Sequence, residues 1–185
     1  MKPYPTLLTD RLVLREFTLE DASDVQRLVG QWEVAQMMSN VPHPYEDGMA
    51  EEWIATHRPA FEVGKRLTFA VVLREGGTLI GSITLHLNAQ DENAELAYWI
   101  GKPYWGQGYC TEAAKELVRY GFEDLGLHRI HSNHFGSNLA SGKVMQKVGM
   151  NYEGTRPEHY NRWGVYEDRV EYGLLARDWY KEASE

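Results

Sequence analysis

The stretch from Glu95 to Thr111 limits what this chain can fold into more than any other. It reads Glu-Leu-Ala-Tyr-Trp-Ile-Gly-Lys-Pro-Tyr-Trp-Gly-Gln-Gly-Tyr-Cys-Thr. A β-rich run with a carboxylate in it is closed by Pro103. The chain then passes through Gly106-Gln107-Gly108 into a helical pattern. Glycine lets the backbone curl until several N–H groups point one way, and a helix N-terminus adds positive potential at the same place. Such a stretch is an anion cradle with a carboxylate close by, and it needs a sheet to hold it.

The flanking segments supply that sheet. Leu12–Leu14, Thr68–Leu73, Leu79–Leu87 and Arg129–Phe135 read as strands, with Gly81 marking a bulge. Met150–Arg156 and Arg169–Leu175 read as two more, joined by a polar, aromatic segment around Tyr160–Gly164. Thr18 opens a helix whose first turn holds Glu20 and Asp21, with Ala22, Val25, Leu28 and Val29 facing the core. A second helix spans about Glu46 to Phe61. A third begins near Thr111 and buries Ala114, Leu117, Val118, Gly121 and Phe122. A fourth begins at Ser137 or Asn138 and ends at Gly149. The order β-α-α-β-β-β-α-β-α-β-β specifies one α/β domain over residues 1–185, a mixed sheet with helices on both faces.

Composition narrows the function. The 185 residues carry a formal net charge of −8, which argues against a direct nucleic-acid partner. The acidic balance suits a cationic acceptor such as an amine, or solubility alone. A single cysteine, Cys110, implies a reducing compartment, and with no apolar signal core or membrane-length run the expected location is the cytoplasm. Gly136–Lys143 resembles a phosphate-binding P-loop but has one residue too many between its glycines, and Val144 stands where a magnesium-binding hydroxyl belongs. Gly106-Gln-Gly108 lacks the third glycine of a dinucleotide fingerprint. His128, His131 and His134, three apart on a strand, do not converge on a metal, so no metal site is expected. Cys110 lies near a helix start but has no histidine placed to activate it, and it is assigned to packing.

Joined to Asn138-Leu-Ala-Ser141 and Gly149-Met-Asn-Tyr-Glu-Gly154, the cradle has a recognisable setting. The chain resembles the GNAT superfamily of acetyl-CoA-dependent N-acetyltransferases, and within it the Rim-type branch that acetylates the N-termini of ribosomal proteins. Thr9–Arg15 with Leu19–Ala22, Ala94–Ile100, Tyr104–Tyr109 with Thr111–Ala113, and Asp168–Leu175 with Trp179 carry the likeness, which runs through nearly the whole chain. Pro103 departs from the Gln or Arg often found three residues before the first glycine.

The resemblance implies a mostly antiparallel sheet of about seven strands, splayed after the fourth, with acetyl-CoA in the gap and CoA as product. The pantetheine arm would pair with the strand edge at Tyr98, Trp99 and Ile100. The pyrophosphate would take N–H groups from Gly106, Gln107, Gly108, Tyr109, Cys110 and Thr111. Asn138 would contact the pantetheine and Lys143 a phosphate. Glu95 is the expected base, direct or through water, since an amine must be neutral to attack a thioester. Ser141 is the expected proton donor to the leaving thiolate, with Tyr98 and Tyr109 as weaker candidates. A backbone N–H near Trp99 or Ile100 would meet the carbonyl oxygen. Trp32, Met37, Met38, Trp53, Tyr160 and Trp163 would line the acceptor groove. The expected acceptor is a primary amine, first a protein N-terminus, with a polyamine or aminoglycoside-like amine, or a non-catalytic acyl-CoA-binding module, as alternatives. The assembly is expected to be a monomer or homodimer.

Overall fold

The computed structural model describes residues 3–182. Eight strands form one sheet in the order β1-β2-β3-β4-β5-β6-β8-β7. They are β1 (Leu7–Leu8), β2 (Leu12–Arg15), β3 (Arg66–Leu73), β4 (Leu79–Asn88), β5 (Asn93–Ile100), β6 (Arg129–Phe135), β7 (Asn151–Arg162) and β8 (Val165–Leu175). The extra strand relative to the expected seven is the two-residue edge piece β1, so the splay follows the fifth strand. The helices are α1 (Ala22–Val29), α2 (Trp32–Ala35), α3 (Met49–Ala55), α4 (His57–Glu62), α5 (Tyr109–Glu123), α6 (Leu139–Lys147) and α7 (Ala176–Glu182). The helix expected over 46–61 is thus two. Pro59 has no N–H to continue a single helix, and it sits in the first turn of α4, where that donor is not needed. The Tyr160–Gly164 segment is the tip of the long β7–β8 hairpin.

Every strand pair is antiparallel except β5–β6. That parallel pair joins only Asn93–Glu95 to Arg129–His131. Beyond Glu95, β5 keeps its register with β4 up to Ile100, while β6 follows β8. The two halves of the sheet therefore diverge, with the Ser132 hydroxyl donating to the Leu96 carbonyl (2.7 Å) at the fork. The bulge in β4 lies at Ile80, one residue before Gly81, where the β3–β4 register shifts.

The two faces of the sheet differ. One is apolar: Phe69, Ile83, Leu85, Leu96 and Ile130 pack against Leu117, Val118 and Phe122 of α5. Each such side chain contributes roughly 2 kcal/mol of burial. The other is apolar only where Ala70, Val72, Leu79 and Trp99 meet Val25 and Leu28 of α1. Further along that face come Arg66 and Thr68 of β3, Ser82, Thr84 and His86 of β4, and Glu95 of β5, which successive registers place side by side. At the start of α1, the Arg15 guanidinium grips Asp21 with two 2.8 Å hydrogen bonds, and Asp21 accepts the Thr18 N–H. Burial alone would raise the Asp21 carboxyl, but these partners outweigh it and hold it below the usual range.

His57 is 3% exposed between Phe17 and Trp53, and among the described residues neither ring nitrogen has a hydrogen-bond partner. Burial, with the Arg66 charge adding to it, lowers its pKa to about 3. A histidine that stays neutral when folded but takes a proton when unfolded leaves stability intact above pH ~6.5 and erodes it from there down to pH 3. Between pH 6.5 and 4.5 the loss assigned to His57 is about 2–3 kcal/mol. Urea denaturation of His57→Leu is expected to show a correspondingly shallower acid decline, and parallel pH profiles for the two proteins would refute this.

Candidate active site

The divergence of β5 and β6 opens a cavity of about 960 Å³ that reaches from the α5–α6 side of the sheet to the α1–α3 side. Leu96 turns its carbonyl toward β6, and Ile100 turns its own toward Trp105, whose indole N–H donates to it (2.6 Å). Gly101, in contrast, donates back to Ile80 of β4. Backbone groups alternate sides along a strand, so Trp99 faces β4, and the N–H groups open to the gap are those of Tyr98 and Ile100. Of the expected strand contacts, Trp99 therefore offers its side chain and not its N–H.

The cradle stands at one mouth of this gap. Gly106 and Gly108 have φ values of 75° and 81°, which only glycine adopts without strain. Gly108 is the N-cap of α5, and no side chain caps it. Among the described residues, the backbone N–H groups from Gly106 to Thr111 have no acceptor within the chain, the first helical bond being Glu112 N–H to the Gly108 carbonyl. Six donors curled at a helix start make an anion site. Arg11, which the sequence did not single out, braces it. Its guanidinium donates to the Gln107 carbonyl (3.0 Å), lies 4.4 Å from the centre of the Tyr109 ring and pairs with Glu112. Only Gly106 and Cys110 of the cradle line the cavity itself; Gln107 spends its side chain on the Pro103 carbonyl. The Cys110 thiol is half-buried against the core, and burial pushes its pKa up to about 12, so it is a protonated packing group.

Tyr98 and Ser141 meet beyond the cradle. Their hydroxyls share a 2.9 Å hydrogen bond, and the Tyr98 hydroxyl also donates to the Ser141 carbonyl (3.1 Å). Burial raises the Tyr98 pKa far above its ordinary value, so this pair stays protonated. Asn138, which lines the cavity, caps α6 by accepting the Ser141 N–H on Oδ1 (3.2 Å), which fixes the serine and leaves the amide Nδ2 available as a donor. Lys143 is exposed on α6 and does not line the cavity.

Glu95 lies across the sheet, on the α1–α3 side. Its Oε1 accepts the Asn133 amide N–H (2.9 Å), and the Asn133 Oδ1 accepts the Tyr160 hydroxyl (2.9 Å). Asn133 thus positions the carboxylate, a role missed in the sequence because the partners are 38 and 27 residues away. Met37, Met38, Trp53 and Tyr160 line this half as expected. Trp32 and Trp163 do not. They stack on each other at 4.9 Å on the outer surface, while Arg162 ties the hairpin tip to the Ala35 and Val41 carbonyls. The arrangement brings a proton acceptor and a hydroxyl pair to opposite sides of one gap, with anion-binding donors at its end. That is suited to moving a group from an anionic carrier to a nucleophile.

Residues 11–151 match the acetyltransferase (GNAT) domain family. The chain is 30% identical over 173 residues to the uncharacterized N-acetyltransferase YoaA of Bacillus subtilis, covering 93% of this chain and 97% of that protein. It is 36% identical over 104 residues to the putative ribosomal N-acetyltransferase YdaF of the same organism, covering 56% and 57%. A solved structure described as a putative ribosomal-protein-serine acetyltransferase from Vibrio cholerae superposes with a TM-score of 0.81 at 26% identity, over 95% of this chain and 99% of that one.

Proposed function

The chain belongs to the GNAT acetyltransferase family and is an acetyl-CoA-dependent acetyltransferase, and from that premise we propose that its acceptor is the N-terminal amine of a ribosomal or other protein. One observation carries the reading: a single cavity is bordered by the free N–H donors of the cradle and lined, on the opposite side of the sheet, by a positioned carboxylate. The likeness to YdaF and to the Vibrio cholerae protein supports a protein acceptor.

The residues present fit the cosubstrate. The N–H groups of Gly106 to Thr111 would hold its pyrophosphate, and the Tyr98 and Ile100 edge with the Asn138 Nδ2 would hold its pantetheine arm. When bound, acetyl-CoA supplies an acetyl group activated as a thioester. Glu95, held by Asn133, takes the proton that the attacking amine must lose, directly or through a water. The Ile100 N–H, aimed into the gap, offers a fixed donor to the carbonyl oxygen as its charge grows. The Ser141–Tyr98 pair, kept protonated, gives a hydrogen bond or a proton to the departing sulfur. Holding the two reactants in one cavity adds proximity, worth up to ~7–11 kcal/mol.

Glu95→Gln keeps the side-chain size and an oxygen for Asn133, so it tests the base without disturbing the frame. Turnover of a good peptide acceptor, followed by thiol release, is expected to fall about 100-fold or more with little change in KM. An unchanged rate and pH profile would sink the assignment. Thiol release with a panel of N-terminal peptides, polyamines and aminoglycosides decides the acceptor class: preference for the small amines overturns the protein-acceptor reading.

A further inference from the structure

Arg66 begins β3 on the polar face of the sheet, opposite His86, which in turn lies opposite Glu95. The three form one row across adjacent strands, and all line the acceptor half of the cavity. Arg15, Arg58, Arg119 and Arg129 each hold a carboxylate. Arg66 does not. Among the described residues its hydrogen bonding is limited to Nη2, which donates to the Thr56 hydroxyl (2.5 Å), while the buried Nε has no acceptor. The Thr56 bond fixes the guanidinium in place, and the cavity lies before it. Its uncompensated charge is felt at His57 and His86, both of which it pushes toward the neutral form. An unsatisfied buried donor on a charged group is costly, and its natural complement is an anionic oxygen.

The geometry assigns to Arg66 the binding of a carboxylate carried by the acceptor itself. Strands lie ~4.8 Å apart, so the row places the Arg66 and Glu95 backbones roughly 10 Å from each other. An extended peptide advances ~3.3 Å per residue. With its N-terminal amine at Glu95, the side chain that reaches Arg66 belongs to the second or third residue. The preferred acceptor is therefore an N-terminus followed by Asp or Glu at one of those positions. This builds on the protein-acceptor reading, but the carboxylate-binding role of Arg66 can be tested without it.

Steady-state kinetics on matched peptides, with Asp or Asn at position 2 or 3, make the test. The wild-type protein is expected to show a KM about tenfold lower for the Asp peptide at one of these positions, with kcat within about twofold. Calorimetric binding of the acetylated peptides in the presence of CoA is expected to show the same ratio. Arg66→Gln should erase the difference by weakening the Asp peptide alone. Equal KM and equal binding for the Asp and Asn peptides in the wild-type protein overturn the proposal, whatever the stability of the variant. If no peptide is acetylated, the acceptor assignment has failed and Arg66 is judged on small ω-amino acids against their amides. Preference for the acids then upholds its role, and equal treatment ends it.

Discussion

Gly108→Asp is expected to raise the dissociation constant for CoA at least ~100-fold while leaving the protein folded. A 100-fold loss corresponds to about 2.7 kcal/mol, which one misplaced charge among phosphate-binding donors readily supplies. The new carboxylate would sit at the N-cap of α5, at the centre of the free N–H groups, and repel the pyrophosphate they are curled to receive. The cost to the fold should be limited to the strain of a non-glycine residue at positive φ, about 1–2 kcal/mol. A Cβ at Gly108 meets nothing nearer than the Arg11 Nη2 at 3.5 Å, and Asp tolerates positive φ better than most residues. Calorimetric titration with CoA beside a thermal melt separates the two effects. Unchanged affinity would remove the basis for placing the cosubstrate at this loop.

Gly81→Ala should do the reverse, damaging the fold first and binding as a result. The added Cβ would lie 2.3 Å from the Trp99 carbonyl oxygen, 2.8 Å from the Ile100 Cδ1 and 3.0 Å from the Ile100 Cα. The first and last of these are backbone atoms of β5 and cannot swing aside as a side-chain end would. Overpacking of this kind costs about 3 kcal/mol, which in a chain of 185 residues is a fall of roughly 6–12 °C in Tm. The atoms forced to move belong to the strand end whose N–H groups open into the gap, so CoA affinity should drop with stability. A variant as stable as the parent would mean that β4 and β5 are not packed as described.

How much of this was readable in the sequence depends on how local each feature is. The cradle was legible because all its parts lie within six residues and their chemistry follows from glycine and a helix start. Helix α5 was legible because Ala114, Leu117, Val118, Gly121 and Phe122 repeat with helical spacing. The full length of β7 was not, since the hairpin stands largely in solvent and no hydrophobic alternation marks it. Asn133 and Arg66 escaped for another reason, as did the hydrogen bond between Tyr98 and Ser141, two residues named only singly: each role comes from residues brought near only by the fold. One signal did exist. A sheet covered by helices on both faces should read as nearly apolar, yet β3 carries Arg66 and Thr68, and β4 carries Ser82, Thr84 and His86, at alternate positions. Such polar alternation within buried strands marks a face turned toward a cavity.

The fork between β5 and β6 has a consequence for the mechanics of the whole domain. Among the described residues, β5 and β6 are joined by three residue pairs, by the His128 N–H donating to the Glu92 carbonyl, and by the Ser132–Leu96 and Asn133–Glu95 hydrogen bonds. Everything past that point is an interior edge, the kind of unpaired strand border that proteins otherwise hide. An extended ligand laid along it completes the hydrogen-bond ladder as a missing strand would. Ligand occupancy and the cohesion of the two halves are then coupled quantities, and saturation 100-fold above the dissociation constant would add about 2.7 kcal/mol to the stability of the fold. The domain is, in this sense, a sheet left one rung short.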